Sequence, residues 1–250
     1  MRRIIPSMIS NVEKRLNRNI GKLIIEKQLI KEGDRILIGL SGGKDSWTLV
    51  HFLHAFQKKA PINYEIKVVT LDMMLSDYQK NKLKKGMEKY SSDYFIQVNR
   101  IEEIIEDKRT PGSSYCSFCA RLRRAHLYKT AKELDCNKVA LGHHMDDLLE
   151  TLLMNMFYHG SIKGMPAILK ADNGVHELIR PLLYCSEEDI ILFNQMQKFP
   201  IIHCSCEKTK KTDVKRKYIK SVLKNLEKND PGLKSSLLTA TQNVVLKHIF

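Results

Sequence analysis

Six residues, Ser41-Gly-Gly-Lys-Asp-Ser46, join the apolar run Arg35–Leu40 to the stretch that begins at Trp47. Adjacent glycines allow backbone angles and close approaches that other residues resist. The N–H groups of Gly42, Gly43, Lys44, Asp45 and Ser46 can then converge on one anion at a helix N-terminus, and Ser41 and Ser46 add hydroxyl donors. A plain strand-to-helix turn would need only one glycine. The stretch is not a Walker A loop. Three residues, not four, separate Gly39 from Gly43-Lys44, and Asp45 stands where a magnesium-binding hydroxyl belongs. A carboxylate facing a triphosphate without metal is repelled, so a GTPase or motor-ATPase reading is excluded.

A second cluster, Gly142-His143-His144-Met145-Asp146-Asp147, also follows an apolar run. Magnesium prefers oxygen ligands and keeps several waters, so Asp45, Asp146 and Asp147 are candidates to hold it. Capping the helix that follows is the competing role for Asp146 and Asp147. His143 and His144 are candidate nucleotide contacts; a strand-end histidine also serves structure alone. Leu71 and Asp72 end another apolar run and are candidates for an adenosine pocket.

The six cysteines occupy 116, 119, 136, 185, 204 and 206. In a chain without a secretory signal they suggest a reducing cytoplasm rather than a disulfide scaffold. Cys116-x-x-Cys119 has the spacing of a metal centre or of a redox pair. Cys204 and Cys206 could complete a four-cysteine zinc site with them. Cys136 and Cys185 read as core residues.

These residues need a scaffold. Short apolar runs at 35–40, 64–72, 93–98, 137–144 and 176–183 read as five strands. Helical patterns run between them, and a helix is expected over Asn11–Lys31. Alternation of this kind predicts an α/β fold with a parallel sheet, whose ligands collect at the carboxyl ends of strands. Both polar clusters directly follow strands, which places them in one site. Segment 170–176 reads as a loop, and 201–250 as two basic helices broken at Asn229-Asp-Pro-Gly232. The expected organisation is a helical segment over 1–32, a nucleotide domain over 33–200 and a basic extension over 201–250.

Net charge is +14, and residues 207–250 hold eleven Lys/Arg against four Asp/Glu, half of that excess. Such a balance favours a polyanion, with nucleic acid first. Arg121, Arg123, Arg124, Lys215, Arg216 and Lys217 are candidate nucleic-acid contacts, against the alternative of a solvated helix face. No apolar run is long enough for a membrane span.

The hexapeptide resembles the loop of PP-loop ATP pyrophosphatases, which cleave ATP between the α and β phosphates. With it, "CSFCARLRR", "LGHHMDDLLETLLMNMFYHGSIKGMP", "IRPLLYCSEEDI", "FPIIHC" and "TQNVV" run in the order found in the TtcA family, the tRNA-cytidine(32) 2-sulfurtransferases. The resemblance implies a Rossmann-like (adenine nucleotide alpha hydrolase-like) fold, ATP, Mg2+ and a 4Fe–4S cluster on Cys116, Cys119 and Cys204. One iron would stay open to carry sulfur. It further implies adenylation of cytidine 32 at its C2 oxygen and replacement of that oxygen by sulfur, with Asp45 and Asp146 acting beside the cysteines. tRNA, a sulfur donor such as a cysteine desulfurase, and a homodimer in the cytoplasm are implied partners and setting. At the third cysteine the family reads Pro-Cys-x-x-Cys-Gly, whereas this chain reads His203-Cys-Ser-Cys-Glu207, which leaves Cys206 as an alternative ligand. A PP-loop enzyme acting on another tRNA base, with zinc or a cluster, and a non-catalytic RNA-binding relic are the rival readings.

Overall fold

The computed structural model describes residues 6–90, 93–99, 101, 104–105, 115–171, 174–202, 214–245 and 247; the side chains of 6–10, 116 and 117 are not described. The elements are α1 (Pro6–Glu26), β1 (Arg35–Gly39), α2 (Lys44–Gln57), β2 (Glu65–Asp72), α3 (Asp77–Met87) and β3 (Asp93–Val98). They continue with α4 (Tyr115–Glu133), β4 (Lys138–Ala140), α5 (Met145–His159), β5 (Ile168–Lys170), β6 (Glu177–Ile179), α6 (Glu187–Gln197), α7 (Val214–Asn229) and α8 (Leu233–Ala240).

The strands form one sheet in the order β3-β2-β1-β4-β6-β5. Ile36 pairs with Ile66 on one side and with Lys138 on the other, both in parallel register. The chain therefore winds outward from β1 through β2 to β3, then returns to lay β4 on the opposite flank of β1. Loops leaving β1 and β4 diverge at that switch and open a crevice. Ile36, Leu37 and Ile38 are fully buried, because helices cover both faces of the sheet.

On one face, Val12, Leu16, Ile20 and Leu23 of α1 join Trp47, Phe52, Phe193, Ile219 and Leu223 in a single core. The first and last long helices thus share it. The opposite core gathers Leu37, Val69, Leu127, Ala131 and Val139 under α4.

Two elements differ from the sequence-based expectation. The sheet has six strands rather than five, and β5 runs antiparallel to β6, with Ile168 opposite Ile179. Strand β5 is a three-residue edge strand with Leu169 exposed, so it lacks the buried alternation that marks a strand in sequence. Helix α1 stops at Glu26 instead of Lys31. Gln28 takes a left-handed conformation (φ 48°) and Leu29 N–H returns to the Ile24 carbonyl at 3.0 Å. That is a Schellman-type stop, and it turns Leu29 into the core.

Beneath the sheet, Lys138 is 1% exposed. Its ammonium donates to the Leu29 carbonyl (2.8 Å) and pairs with Asp34 and Glu177, each at 3.1 Å. Lys138→Ala leaves the buried Asp34 carboxylate without its cation and is expected to cost about 3 kcal/mol. Urea denaturation measures this, and an unchanged midpoint would show that the pair contributes nothing.

Candidate active site at the sheet switch point

The C-terminal ends of β1, β2 and β4 open into a cavity of about 510 Å3, a size suited to a nucleotide. Ser41, Gly43, Asp45 and Ser46 form one wall; Leu71 and Met73 form a second; Gly142, His143 and Asp147 a third; Ala120, Arg123 and Arg124 close it from α4.

The phosphate loop is held open from within. Ser46 Oγ donates to the Gly43 carbonyl at 2.9 Å, Ser41 Oγ donates to Ser46 Oγ at 3.1 Å, and Gly43 N–H reaches Ser41 Oγ at 3.4 Å. Gly42 has φ +79°, a conformation that strains any residue with a Cβ. Directly beneath, Gly142 touches the loop through backbone: a Cβ there would lie 2.9 Å from the Asp45 carbonyl carbon and 3.1 Å from Ser46 N.

Of the predicted nucleotide residues, Ser41, Gly43, Asp45, Ser46, Leu71, Gly142 and His143 line the cavity; Gly42, Lys44 and Asp72 do not. Lys44 turns away to Glu187 (3.2 Å), with the Asp45 Oδ1 at 3.1 Å. Asp72 instead accepts Leu75 N–H at 2.7 Å and pairs with Lys80 at 2.8 Å, fixing the turn after β2.

The three candidate metal carboxylates separate. Asp45 and Asp147 face the cavity. Asp146 is buried with both oxygens engaged, one by Glu187 N–H at 2.7 Å and one by Lys234 at 2.6 Å. His144 stands among them, its Nε2 3.6 Å from Asp45 and 3.4 Å from Asp147. Asp147 also accepts His144 N–H at 3.1 Å at the start of α5, so capping and cavity lining coincide in one side chain. Among the described residues, no three His, Cys, Asp or Glu side chains form a preformed metal cage. Two carboxylates beside a phosphate loop are the supply that magnesium requires when substrate phosphates and water provide its remaining ligands.

Cations from the C-terminal helices close over these acids. Arg216 donates to Glu150 at 2.8 Å and lies 3.3 Å from Asp147; Lys220 lies 2.6 Å from Glu187. Lys215 sits over the Tyr158 ring at 4.6 Å. The predicted tRNA contact Arg216 is thus engaged within the chain. Arg121 is exposed and does not line the cavity, whereas Arg123 and Arg124 do. Burial pushes His143 down to about 4, with Arg180 and Arg216 acting in the same direction against Asp147. Its imidazole is therefore neutral near neutral pH.

Cys119 is half-buried on α4 beside the lining residue Ala120. The Cys116 side chain, Cys204 and Cys206 lie outside the described residues. Ile202, two residues before Cys204, lines the cavity. Cys136 and Cys185 are core residues whose thiols burial pushes up.

Sequence reasoning assigned no role to Glu150, Arg180, Glu187, Lys220, Lys234 or Ile202; His144, a candidate nucleotide contact, stands beside Asp45 and Asp147 and does not line the cavity. Glu187 had a local signal, since Ser186 caps α6 by accepting Asp189 N–H at 3.2 Å. The others act across long chain separations, which no local pattern marks. Arg180 is buried, donates to the Pro166 carbonyl at 2.7 Å and pairs with no carboxylate among the described residues.

Two measurements test this geometry. Gly142→Ala forces a Cβ against backbone and is expected to destabilise by about 1–3 kcal/mol and to weaken ATP binding; thermal melting and calorimetry read both. Burial alone would raise the Glu187 carboxyl, but the bond from Lys220 and the charges of Lys44 and Lys220 outweigh it and hold it at about 2, against an ordinary 4.5. A depressed carboxyl contributes stability above about pH 4.5 that is lost as pH falls toward about 2. Glu187→Gln should therefore flatten that acid limb in urea melts taken across the same window; an unaltered limb would remove Glu187 from the pairing.

The PP-loop domain family matches residues 10–226. A protein named tRNA-cytidine(32) 2-sulfurtransferase from Citrifermentans bemidjiense is 43% identical over 235 residues, which cover 94% of this chain and 92% of that one. One of the same name from Vibrio cholerae is 43% identical over 240 residues, covering 96% and 77%. Among solved structures, the U34-tRNA thiolase NcsA from Methanococcus maripaludis, determined with its 4Fe–4S cluster, superposes with a TM-score of 0.75 at 25% identity. That match spans 93% of this chain and 79% of NcsA. With its phosphate loop, paired carboxylates and cysteine-bearing helix gathered at one switch point, the chain belongs to the tRNA-cytidine(32) 2-sulfurtransferase family of ATP-using PP-loop enzymes.

Proposed function

We propose that the protein uses ATP to activate cytidine 32 of tRNA at its C2 oxygen and replaces that oxygen with sulfur, giving 2-thiocytidine. The observation that carries this reading is the single cavity shared by the phosphate loop, Asp147 and the residues Ala120, Arg123 and Arg124 of α4, the helix that also bears Cys116 and Cys119. A phosphate loop alone activates many substrates; an arginine wall opposite it, on the helix that carries Cys116 and Cys119, supports thiolation of a nucleic acid.

In this reading Gly43 N–H, Ser41 and Ser46 hold the β and γ phosphates. Asp45 and Asp147 orient magnesium, and the Leu71–Met73 wall takes the adenosine. The cytidine oxygen attacks the α phosphorus, the bond to the β-phosphate oxygen breaks, and its electron pair leaves with pyrophosphate. Gly43 N–H, Ser41 and Ser46 stabilise the charge that develops on the leaving group, and magnesium held by Asp45 and Asp147 would add to that stabilisation. His143, neutral, borders this step without adding a competing cation. Arg123 and Arg124 offer positive charge to the incoming nucleotide from the far wall.

Bound on Cys116, Cys119 and Cys204, a 4Fe–4S cluster would supply the sulfur that takes the place of oxygen as AMP departs. Cys119 is half-buried on the helix that lines the cavity, which suits such a ligand, and Cys206 is the alternative to Cys204. Arg121, Lys215 and Lys217 would meet the tRNA backbone, so binding should weaken with salt. A cysteine desulfurase is the expected sulfur donor, and the enzyme is expected to act as a cytoplasmic homodimer.

Anaerobic reconstitution tests the reading. AMP and pyrophosphate release should require tRNA and a sulfide source, and mass spectrometry of the tRNA nucleosides should show 2-thiocytidine. Asp147→Asn is expected to slow AMP release by about a hundredfold. Cys119→Ser should lose bound iron while Cys136→Ser keeps it. Stoichiometric zinc without iron uptake, or thiolation of a different base, would overturn it.

A further inference from the structure

The segment Phe199–Ile202 runs from the end of α6 to the phosphate loop and is fastened along its length. Phe199 stacks on Trp47, with ring centres 5.7 Å apart and planes within 6°, and Lys89 Nζ stands 4.5 Å from the Phe199 ring centre. Pro200 packs where Gly86 of α3 has no side chain; a Cβ there would lie 2.4 Å from Pro200 Cγ. Lys82 donates to the Ile201 carbonyl at 3.0 Å. The segment is therefore fixed to α2 and α3 before it reaches the site.

At its end, Ile202 is 8% exposed and makes two contacts with Gly42. Its N–H donates to the Gly42 carbonyl at 3.0 Å. Its side chain fills the face of Gly42 that lacks a Cβ, which would meet Ile202 Cγ1 at 2.1 Å and Cδ1 at 2.7 Å. In a trans peptide the carbonyl of one residue and the N–H of the next point in opposite directions. Holding the Gly42 carbonyl toward Ile202 thus turns Gly43 N–H the other way, where its acceptor is Ser41 Oγ at 3.4 Å. A bond that long is weak, so this N–H can exchange it for a phosphate oxygen.

We propose that Ile202 is a positioning residue for the pyrophosphate-holding loop: its N–H fixes the Gly42 carbonyl and its side chain seats Gly42, so that Gly43 N–H is presented to phosphate. The inference rests on the reading that this loop holds pyrophosphate. Ile202 touches no reacting atom in this role; it fixes the direction of a donor before the ligand arrives, which is the arrangement that makes such donors effective. The fitness of glycine at 42 then has two causes, the left-handed backbone and the Ile202 side chain packed against it.

Calorimetric titration of the full-length protein with magnesium pyrophosphate, and separately with AMP, tests this. Ile202→Ala is expected to weaken pyrophosphate about tenfold while AMP, which depends on the Leu71–Met73 wall, changes by less than about twofold. Ile202→Val keeps the branched seat but loses Cδ1, and should weaken pyrophosphate by only about threefold. Equal loss of both ligands would show general loosening and overturn the proposal, as would unchanged pyrophosphate binding in Ile202→Ala. Should Ile202→Ala fail to fold, as judged by circular dichroism and melting, the pyrophosphate-to-AMP split in Ile202→Val decides the same point. Wild-type protein that binds AMP but no pyrophosphate would instead overturn the phosphate-loop reading itself, and this inference with it.

Discussion

The site depends on one close approach, the backbone contact between Gly142 after β4 and the Asp45–Ser46 peptide at the start of α2. Parallel strands β1 and β4 are neighbours, so the loops that leave them are forced together before they diverge. Without a side chain at 142 the two backbones meet directly. The phosphate loop then sits on a rigid floor, with His143 and Asp147 carried to its edge. A larger residue at that point would lift the loop from the carboxylates, and the cavity would lose the arrangement that suits metal and phosphate together.

Electrostatics reinforce that geometry in an order the charge distribution does not suggest. The C-terminal helices look like a surface for a polyanion, and Lys215 and Lys217 are exposed there. Yet Arg216, Lys220 and Lys234 reach inward to Asp147, Glu150, Glu187 and Asp146. Asp146, Asp147 and Glu187 stand in the first turns of α5 and α6, where helix dipoles favour negative charge. Partly buried carboxylates so close together would repel one another unless cations stood among them. The basic helices are thus part of the wall of the site, and the excess positive charge left outside is smaller than the sequence count implies.

Strands were legible wherever a continuous apolar run marked full burial, as in β1 and β2, because both faces are covered. β5 was not, since an edge strand of three residues is held by backbone pairing to β6 and needs no apolar pattern. The end of α1 was also misplaced: Leu29 and Ile30 continue the apolar content but are buried by a turn, not by another helical turn. The choice between adjacent Asp146 and Asp147 had the same difficulty. The sequence reading favoured Asp146, but successive positions on a helix differ by about 100° in direction, so packing against Glu187 and Lys234 turns Asp146 away and leaves Asp147 facing the cavity.

The sequence by itself determined which groups are available: a Ser-Gly-Gly-x-Asp-Ser turn rich in N–H and hydroxyl donors, acids that follow a strand, a Cys116-x-x-Cys119 pair, and a parallel α/β frame to carry them. Residue type and local spacing specify such things because backbone conformation, capping and ligand preference are short-range. Only the tertiary structure decided which of those residues face one another. Ile202 meets Gly42 across 160 positions and Lys234 meets Asp146 across 88. Contacts of that kind exist only once the sheet has set the distance between loops, and the order of residues along the chain carries no record of it.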